Sequence, residues 1–244
     1  MSLNAPYPYP VTNSDLIKAH SLIKHFEGGY FAQTVLLDSA LPVTPTTAHP
    51  HVPLSAALEG RVQSASGDAV ELLTPAAENQ PVEGVQKRTD ATQIYYLLTP
   101  ESYRGRMHMN LHSTFHLHHS GRALYTLIKP PQTPGEIPTI HRVILGPNAS
   151  QGEVLQLFVP GGWWKASEIP DEDLLLLDAP GAKEANLHKN IGCLISEVVV
   201  PGWNPDQHQF IDEDKLKAMW SGKDGWEQYS KYIKAPEGLE YPDK

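Results

Sequence analysis

Five of the twelve histidines in this 244-residue chain fall between His108 and His119, in the stretch RMHMNLHSTFHLHH. Counted in twos, positions 106, 108 and 110 and then 114, 116 and 118 read Arg, His, Asn, Thr, His and His, with Met107, Met109, Phe115 and Leu117 between them. In an extended chain alternate side chains share a face, so one surface carries hydrogen-bonding groups and the other is apolar. Such a face is suited to lining a cavity, together with Lys165 of the later segment GGWWKAS. Neutral imidazole takes a proton near pH 7, and a cation beside it stabilises an enolate or carboxylate. That combination suits proton abstraction beside a carbonyl: epimerisation, isomerisation, elimination or cyclisation of a small oxygenated molecule. The expected catalytic groups are His108, His116, His118 and Lys165. The expected substrate contacts are Arg106, Asn110, Thr114, Trp163, Tyr96 and Glu27. His108, His116 and His118 could alternatively hold a divalent metal, Zn, Fe or Mn, but an ammonium at position 165 beside a dication is repulsive. The preferred reading is therefore metal-free acid–base chemistry with no cofactor. Its rivals are a metal-dependent oxygenase or decarboxylase and a non-catalytic ligand-binding protein.

Three arrangements of the histidine-rich stretch are open. On a helix, His108, His112 and His116 would stack on one face, as in zinc protease helices. Against this, Thr99-Pro100 and Gly121 bracket a short piece, the glutamate of HExxH is missing, and the flanks YYLLT and ALYTLI favour strand. In a hairpin turning near Leu111–Ser113, Arg106, His108 and Asn110 would face Thr114, His116 and His118. In the third arrangement the histidines lie on a solvated outer face. We carry the hairpin forward.

The rest of the chain supplies the elements that must position these groups. Ser14 can cap a short helix carrying Leu16, Ile17, Leu22 and Ile23, and Tyr30–Leu37 reads as a strand. Residues 42–90 show little periodicity and read as a long, mostly loop insertion. Strand-like runs follow at 93–99, 105–111, 114–118, 122–129, 139–145, 154–159, 163–168 and 190–200, with Gly- and Pro-rich turns between them. Many short strands at this spacing argue for an all-β sandwich or barrel. Residues 170–189 read as a loop. Residues 212–221 and 224–233 read as two short helices whose Trp220, Trp226, Tyr229 and Tyr232 pack on the outside of the barrel. Glu27 either reaches the barrel mouth or caps a turn. Glu197, inside the apolar run 194–200, is expected to point outward, since an inward carboxylate needs a cation partner. Of Trp163 and Trp164, one ring should face the pocket and the other the outside.

At this point the chain resembles the cupins, whose motifs run H-x-H-x3-E-x6-G and P-x-G-x2-H. His108 and Gly121 match the first motif, with Asn110 and Thr114 at its other ligand positions; Pro160 and Gly162 match the second, with Lys165 at its histidine. The chain is similar in more detail to the RmlC-like branch of small cupins with no assigned activity. The blocks that carry this are HFEGGYF at 25–31, residues 91–98, His108, Gly121, Leu145-Gly146-Pro147, Gly152, residues 159–165 and Val200-Pro201-Gly202-Trp203. The resemblance implies a cupin-type double-stranded β-helix, or jelly-roll barrel, with a short N-terminal helix and short C-terminal helices. It implies one domain over 1–244, with the barrel core at about 26–210, the insertion at about 40–90 and a helical extension at about 211–244. It also implies a small-molecule cavity and pairing of two copies into a homodimer, and it admits isomerase or epimerase activity.

Composition narrows the partners. A formal net charge of −9 with scattered lysines and arginines argues against nucleic acid, which needs a clustered positive field. The single Cys193 excludes an internal disulfide and a multi-cysteine metal site. The N-terminal residues lack a signal-peptide pattern, and no run approaches the ~18 apolar residues of a membrane span. The expectation is a soluble cytoplasmic protein with a small-molecule substrate.

Overall fold

A computed structural model of the chain describes residues 3–38 and 89–236. The first helix, α1 (Asn13–Ala19), begins two residues earlier than the sequence suggested. Its cap is Thr12, whose hydroxyl accepts from the Asp15 amide while the Asp15 carboxylate accepts from the Thr12 amide. This reciprocal capping box satisfies two otherwise unpaired donors, and Ser14 lies inside the helix instead. Leu16 on its buried face packs with Leu22, Leu97 and Leu194 against the outside of a sheet.

The strands are β1 (Ile23–Lys24), β2 (Tyr30–Leu37), β3 (Ala91–Leu98), β4 (His108–Asn110), β5 (Ser113–Gly121), β6 (Ala123–Lys129), β7 (Thr139–Leu145), β8 (Gln156–Val159), β9 (Trp164–Glu168), β10 (Cys193–Val200) and β11 (His208–Phe210). They form two antiparallel sheets, ordered β1-β2-β3-β10-β5-β8 and β11-β4-β9-β6-β7. This is the jelly-roll arrangement that the sequence implied. Tyr96, Leu98, Leu157, Val159 and Ile195 of the first sheet meet Ala123, Tyr125, Leu127 and Leu145 of the second in one buried core. A second cluster lies on the far face of the five-stranded sheet. There Met107, Met109, Ile128, Trp164 and Ala166 are covered by Ile211, Leu216, Trp220, Tyr229 and Tyr232. The covering residues come from the end of the chain, where Glu213–Met219 is α-helical and Glu227–Tyr232 is a 3-10 turn, so the expected C-terminal extension is a packed outer layer.

Two expectations are corrected. The histidine-rich stretch is not a hairpin. β4 pairs with β9 and β11, whereas β5 pairs with β10 and β8, so the chain passes from one sheet to the other at Leu111 and His112. The crossing is pinned by Leu111 donating its amide to Gln207 O at 3.0 Å and by Gly161, where a Cβ would collide with the Leu111 carbonyl. His108 and His116 therefore belong to opposite walls of the barrel. Residues 170–189 are also not a plain loop: they hold the helices Asp171–Leu175 and Leu187–Asn190, which carry Leu187 into the core. The expected insertion falls almost wholly on residues 39–88, outside the described residues; its flanks pair in β2 and β3, with the Asp90 amide donating to Leu37 O at 2.7 Å. No described helix is long and apolar enough to cross a membrane.

Candidate functional site

Two polar groups of side chains face the barrel interior. The first is built on Lys165 of β9, whose neighbours across the ladders are His108 of β4 and Leu127 of β6. Only 3% of Lys165 is exposed. Its ammonium is ion-paired with Glu197 of β10 and donates to Thr114 Oγ1 at 3.3 Å and His116 Nε2 at 3.2 Å, both on β5. Three donors thus find three acceptors. An ammonium can only donate, so Nε2 of His116 accepts and the ring proton sits on Nδ1. That nitrogen lies 3.1 Å from Tyr125 Oη and 3.6 Å from Glu197 Oε2. Burial, then the Lys165 charge, hold His116 well below its ordinary pKa, which makes it a neutral imidazole at pH 7. Glu197 is corrected here. It points inward because it shares a face with its register partners Ile94 and His116, and the cation it needs arrives from the opposite sheet.

The second group surrounds Glu27, which lies in the turn between β1 and β2. Its main chain is fixed by the Arg106 amide donating to Glu27 O at 2.6 Å, and the following Gly29 amide donates to Ser102 Oγ at 2.7 Å. Gly28 makes the turn possible: φ is +98°, and a Cβ there would stand 2.5 Å from the Arg104 carbonyl oxygen. His208 of β11 donates from Nε2 to Glu27 Oε1 at 2.7 Å. His108 Nε2 stands 3.5 Å from Glu27 Oε2, and His25 Nδ1 stands at the same 3.5 Å. The His108 and His208 rings stack with centroids 5.1 Å apart. Burial alone would raise the Glu27 carboxyl, but His108, His25 and His208 outweigh it and hold the group well below the usual carboxylate range. Burial, with Glu27 pulling the other way, pushes His108 down to about 3 and lowers His25. At neutral pH Glu27 is an ionised carboxylate beside the neutral rings of His108 and His25.

Glu27, Arg106, His108, His116, Lys165 and Glu197 enclose a pocket of about 10 Å³, the size of a single water. Beside it, sharing Glu27 and Glu197, is an outer chamber of about 330 Å³ lined by Phe26, Phe31, Ile94, Val199 and Trp203, with Asn110 adding an amide. The Arg106 guanidinium rests on the Phe210 ring at 4.1 Å.

The structure brings together His108, His116, Lys165, Thr114, Arg106, Tyr96 and Glu27, and it sets Asn110 in the chamber wall. It does not bring His118 or Trp163 to this lining. The β5–β10 ladder shifts between Leu194 and Ile195, leaving His119 as an extra residue, and His118 Nε2 bonds the Gly121 carbonyl at 2.8 Å. Trp163 stacks on His141 with ring centroids 5.2 Å apart, and Trp164 packs in the outer cluster. The metal-ligand set His108, His116 and His118 is corrected for the same reason, and because His116 Nε2 already accepts from Lys165. Among the described residues, the ligand atoms that do converge, all within 4.8 Å, belong to Glu27, His108 and His208. Sequence reasoning missed His208, which sits in a polar segment after the barrel strands without apolar alternation. It also gave no role to His25 or Tyr125.

The family described as Cupin superfamily (DUF985) matches residues 14–211, a span that holds every residue of both groups. The uncharacterized protein YML079W of Saccharomyces cerevisiae is 33% identical over 220 residues, covering 89% of this chain and 85% of that protein. Among solved structures, a hypothetical protein from Leishmania major aligns with a TM-score of 0.55 at 22% identity, covering 91% of this chain and 96% of its own. Protein SO0799 from Shewanella oneidensis aligns with a TM-score of 0.54 at 16% identity, covering 95% and 99%.

Proposed function

We propose that this chain, which belongs to the cupin superfamily in its DUF985 family, is a small-molecule isomerase, epimerase or related lyase that moves a proton beside a carbonyl inside the barrel. The observation that carries this reading is the buried network of Lys165, Glu197 and His116 on the chamber floor. A buried ion pair adds little stability over apolar packing, whereas clustered ionisable groups in a cleft are a mark of catalysis. Lys165 supplies positive charge where an enolate oxygen would form, displacing Thr114 or His116 from one of its protons. Glu197 and His116 offer a carboxylate and an imidazole, 3.6 Å apart, between which a proton can be passed. Arg106 and Asn110 orient a polar end of the substrate, while Phe26, Phe31 and Trp203 accommodate an apolar body. This half of the site calls on side chains alone.

Deuterium incorporation next to the carbonyl, followed by NMR in D₂O over a panel of small aldehydes, ketones and 2-oxo acids, tests the reading. The wild-type protein should wash in deuterium, and Lys165→Met and Glu197→Gln should slow it by roughly 10²-fold or more. A carbonyl compound that binds and is recovered with neither exchange nor turnover would instead make this a ligand-binding cupin. A second reading, a metal-dependent oxygenase or decarboxylase, draws on the carboxylate and imidazoles around Glu27; it requires O₂ uptake or CO₂ release that depends on added metal.

A further inference from the structure

We infer that Glu27, His108 and His208 form a binding site for one divalent transition-metal ion, with His25 as an additional nitrogen donor. The inference goes beyond the proton-transfer reading and uses none of its groups. The Arg106 carbonyl can only accept, so the 3.0 Å contact with His108 Nδ1 places the ring proton on Nδ1. Nε2 is the nitrogen left to face the Glu27 carboxylate oxygen, 3.5 Å away, and with Nε2 of His208 these ligand atoms all lie within 4.8 Å of one another. A cation placed among them is shared by one carboxylate and two imidazoles. His25 stands beside them: it is 6% exposed, its Nδ1 has no hydrogen-bond partner, and it too lies 3.5 Å from Glu27 Oε2. In its other tautomer, with the ring proton on Nδ1, His208 presents the lone pair of Nε2 at the place where it now meets Glu27.

The surroundings fit a metal centre. A ligating imidazole is commonly held by its other nitrogen donating to a carbonyl, as His108 is here. The same residue, Arg106, bonds the Glu27 carbonyl through its amide, so the turn that carries the carboxylate and the strand that carries the imidazole are tied together. The pocket of about 10 Å³ beside Glu27 and His108 leaves room for a water or one substrate oxygen, the open position of a catalytic site. The electrostatic objection raised by the sequence also falls away, because Lys165 is already neutralised by Glu197. Carboxylate and imidazole donors suit Zn²⁺, Fe²⁺ or Mn²⁺. This is not the set that the motif spacing points to, whose remaining positions hold Asn110, Thr114 and Lys165. When bound, the ion would supply Lewis acidity to an oxygen in the small pocket.

The test is the metal content of untagged protein, measured by inductively coupled plasma mass spectrometry after stripping with chelator and reloading with Zn²⁺. About one ion per chain is expected. His108→Ala, His208→Ala and Glu27→Gln should each lower zinc affinity at least tenfold, whereas His116→Ala and His118→Ala should retain it. Circular dichroism checks the fold of each variant. Should a ligand variant unfold, the visible spectrum of Co²⁺-loaded wild-type protein reports nitrogen and oxygen ligation directly. Wild-type protein that takes up no stoichiometric Zn²⁺ or Co²⁺, or zinc retained in the folded His108→Ala/His208→Ala double variant, would overturn the site. Neither result bears on deuterium exchange at the Lys165 network, so the two proposals fail separately.

Discussion

Lys165 and Glu197 are stable only in each other's company. Lys165 is 3% exposed and Glu197 9% exposed, so removing one leaves the other as an unpaired charge inside the barrel. Lys165→Met should therefore cost about 3–5 kcal/mol, the usual penalty for breaking a buried pair. The double variant Lys165→Met/Glu197→Leu should recover most of that loss, because two apolar side chains replace two charges. Urea denaturation of the two single variants and the double variant measures the coupling, and additive losses would refute it. His116 belongs to the same unit, since both of its ring nitrogens are engaged by groups from three different strands. Periodicity marked His116 and Lys165 as inward residues. It did not foresee Glu197, because a carboxylate in an apolar run reads as exposed until its partner, 32 residues away in sequence, is folded onto it.

At the level of elements, the site depends on how the β1–β2 turn and the C-terminal layer meet β4. Gly28→Ala forces a side chain into positive φ and against the Arg104 carbonyl. It should lower stability by at least about 1 kcal/mol and displace Glu27, so zinc stoichiometry should fall with the melting temperature. The C-terminal layer holds the opposite side of β4. The Tyr232 carbonyl accepts from the Met107 amide at 2.8 Å, and the Tyr232 hydroxyl donates to Glu168 at 2.5 Å. Tyr232→Phe removes one of the two donors to Glu168 Oε1, leaving Lys231, and should cost about 1–3 kcal/mol by chemical denaturation. Strands bounded by turn residues were legible, and Tyr30–Leu37 and Thr139–Leu145 end where the sequence placed them. The β4–β5 hairpin was not, because alternation assigns each residue to a face without saying which strand lies alongside.

For the molecule as a whole, the buried imidazoles set the response to pH. His25, His108 and His116 are held neutral in the fold, below their ordinary pKa near 6.5. Below pH 6.5 the unfolded chain binds protons that the folded protein refuses, so folding stability is full above that value and falls as pH falls. Each neutral imidazole contributes a loss of about 1.4 kcal/mol per pH unit until its folded pKa is reached, about 3 for His108. Glu27, also depressed, adds loss in the same direction only below its unfolded value near 4.5. Melting temperature should hold between pH 7.5 and about pH 6.5 and decline from there to pH 5, and His108→Gln should flatten that slope; a flat profile for the wild type would show that these rings titrate freely.

By itself the sequence determined that the chain builds an all-β barrel, which residues alternate inward near His108, and that a packed helical layer follows the barrel. These are local properties, fixed by the two-residue period of a strand, by turn residues and by apolar spacing. The tertiary structure alone decided which inward groups meet. His118, one pleat beyond His116 in the same register, bonds the Gly121 carbonyl instead of lining the pocket, and a ladder to β4 brought His208 to Glu27 across 181 residues of sequence. Hydrogen-bond register and strand partners are set between segments, and no pattern within one segment encodes them.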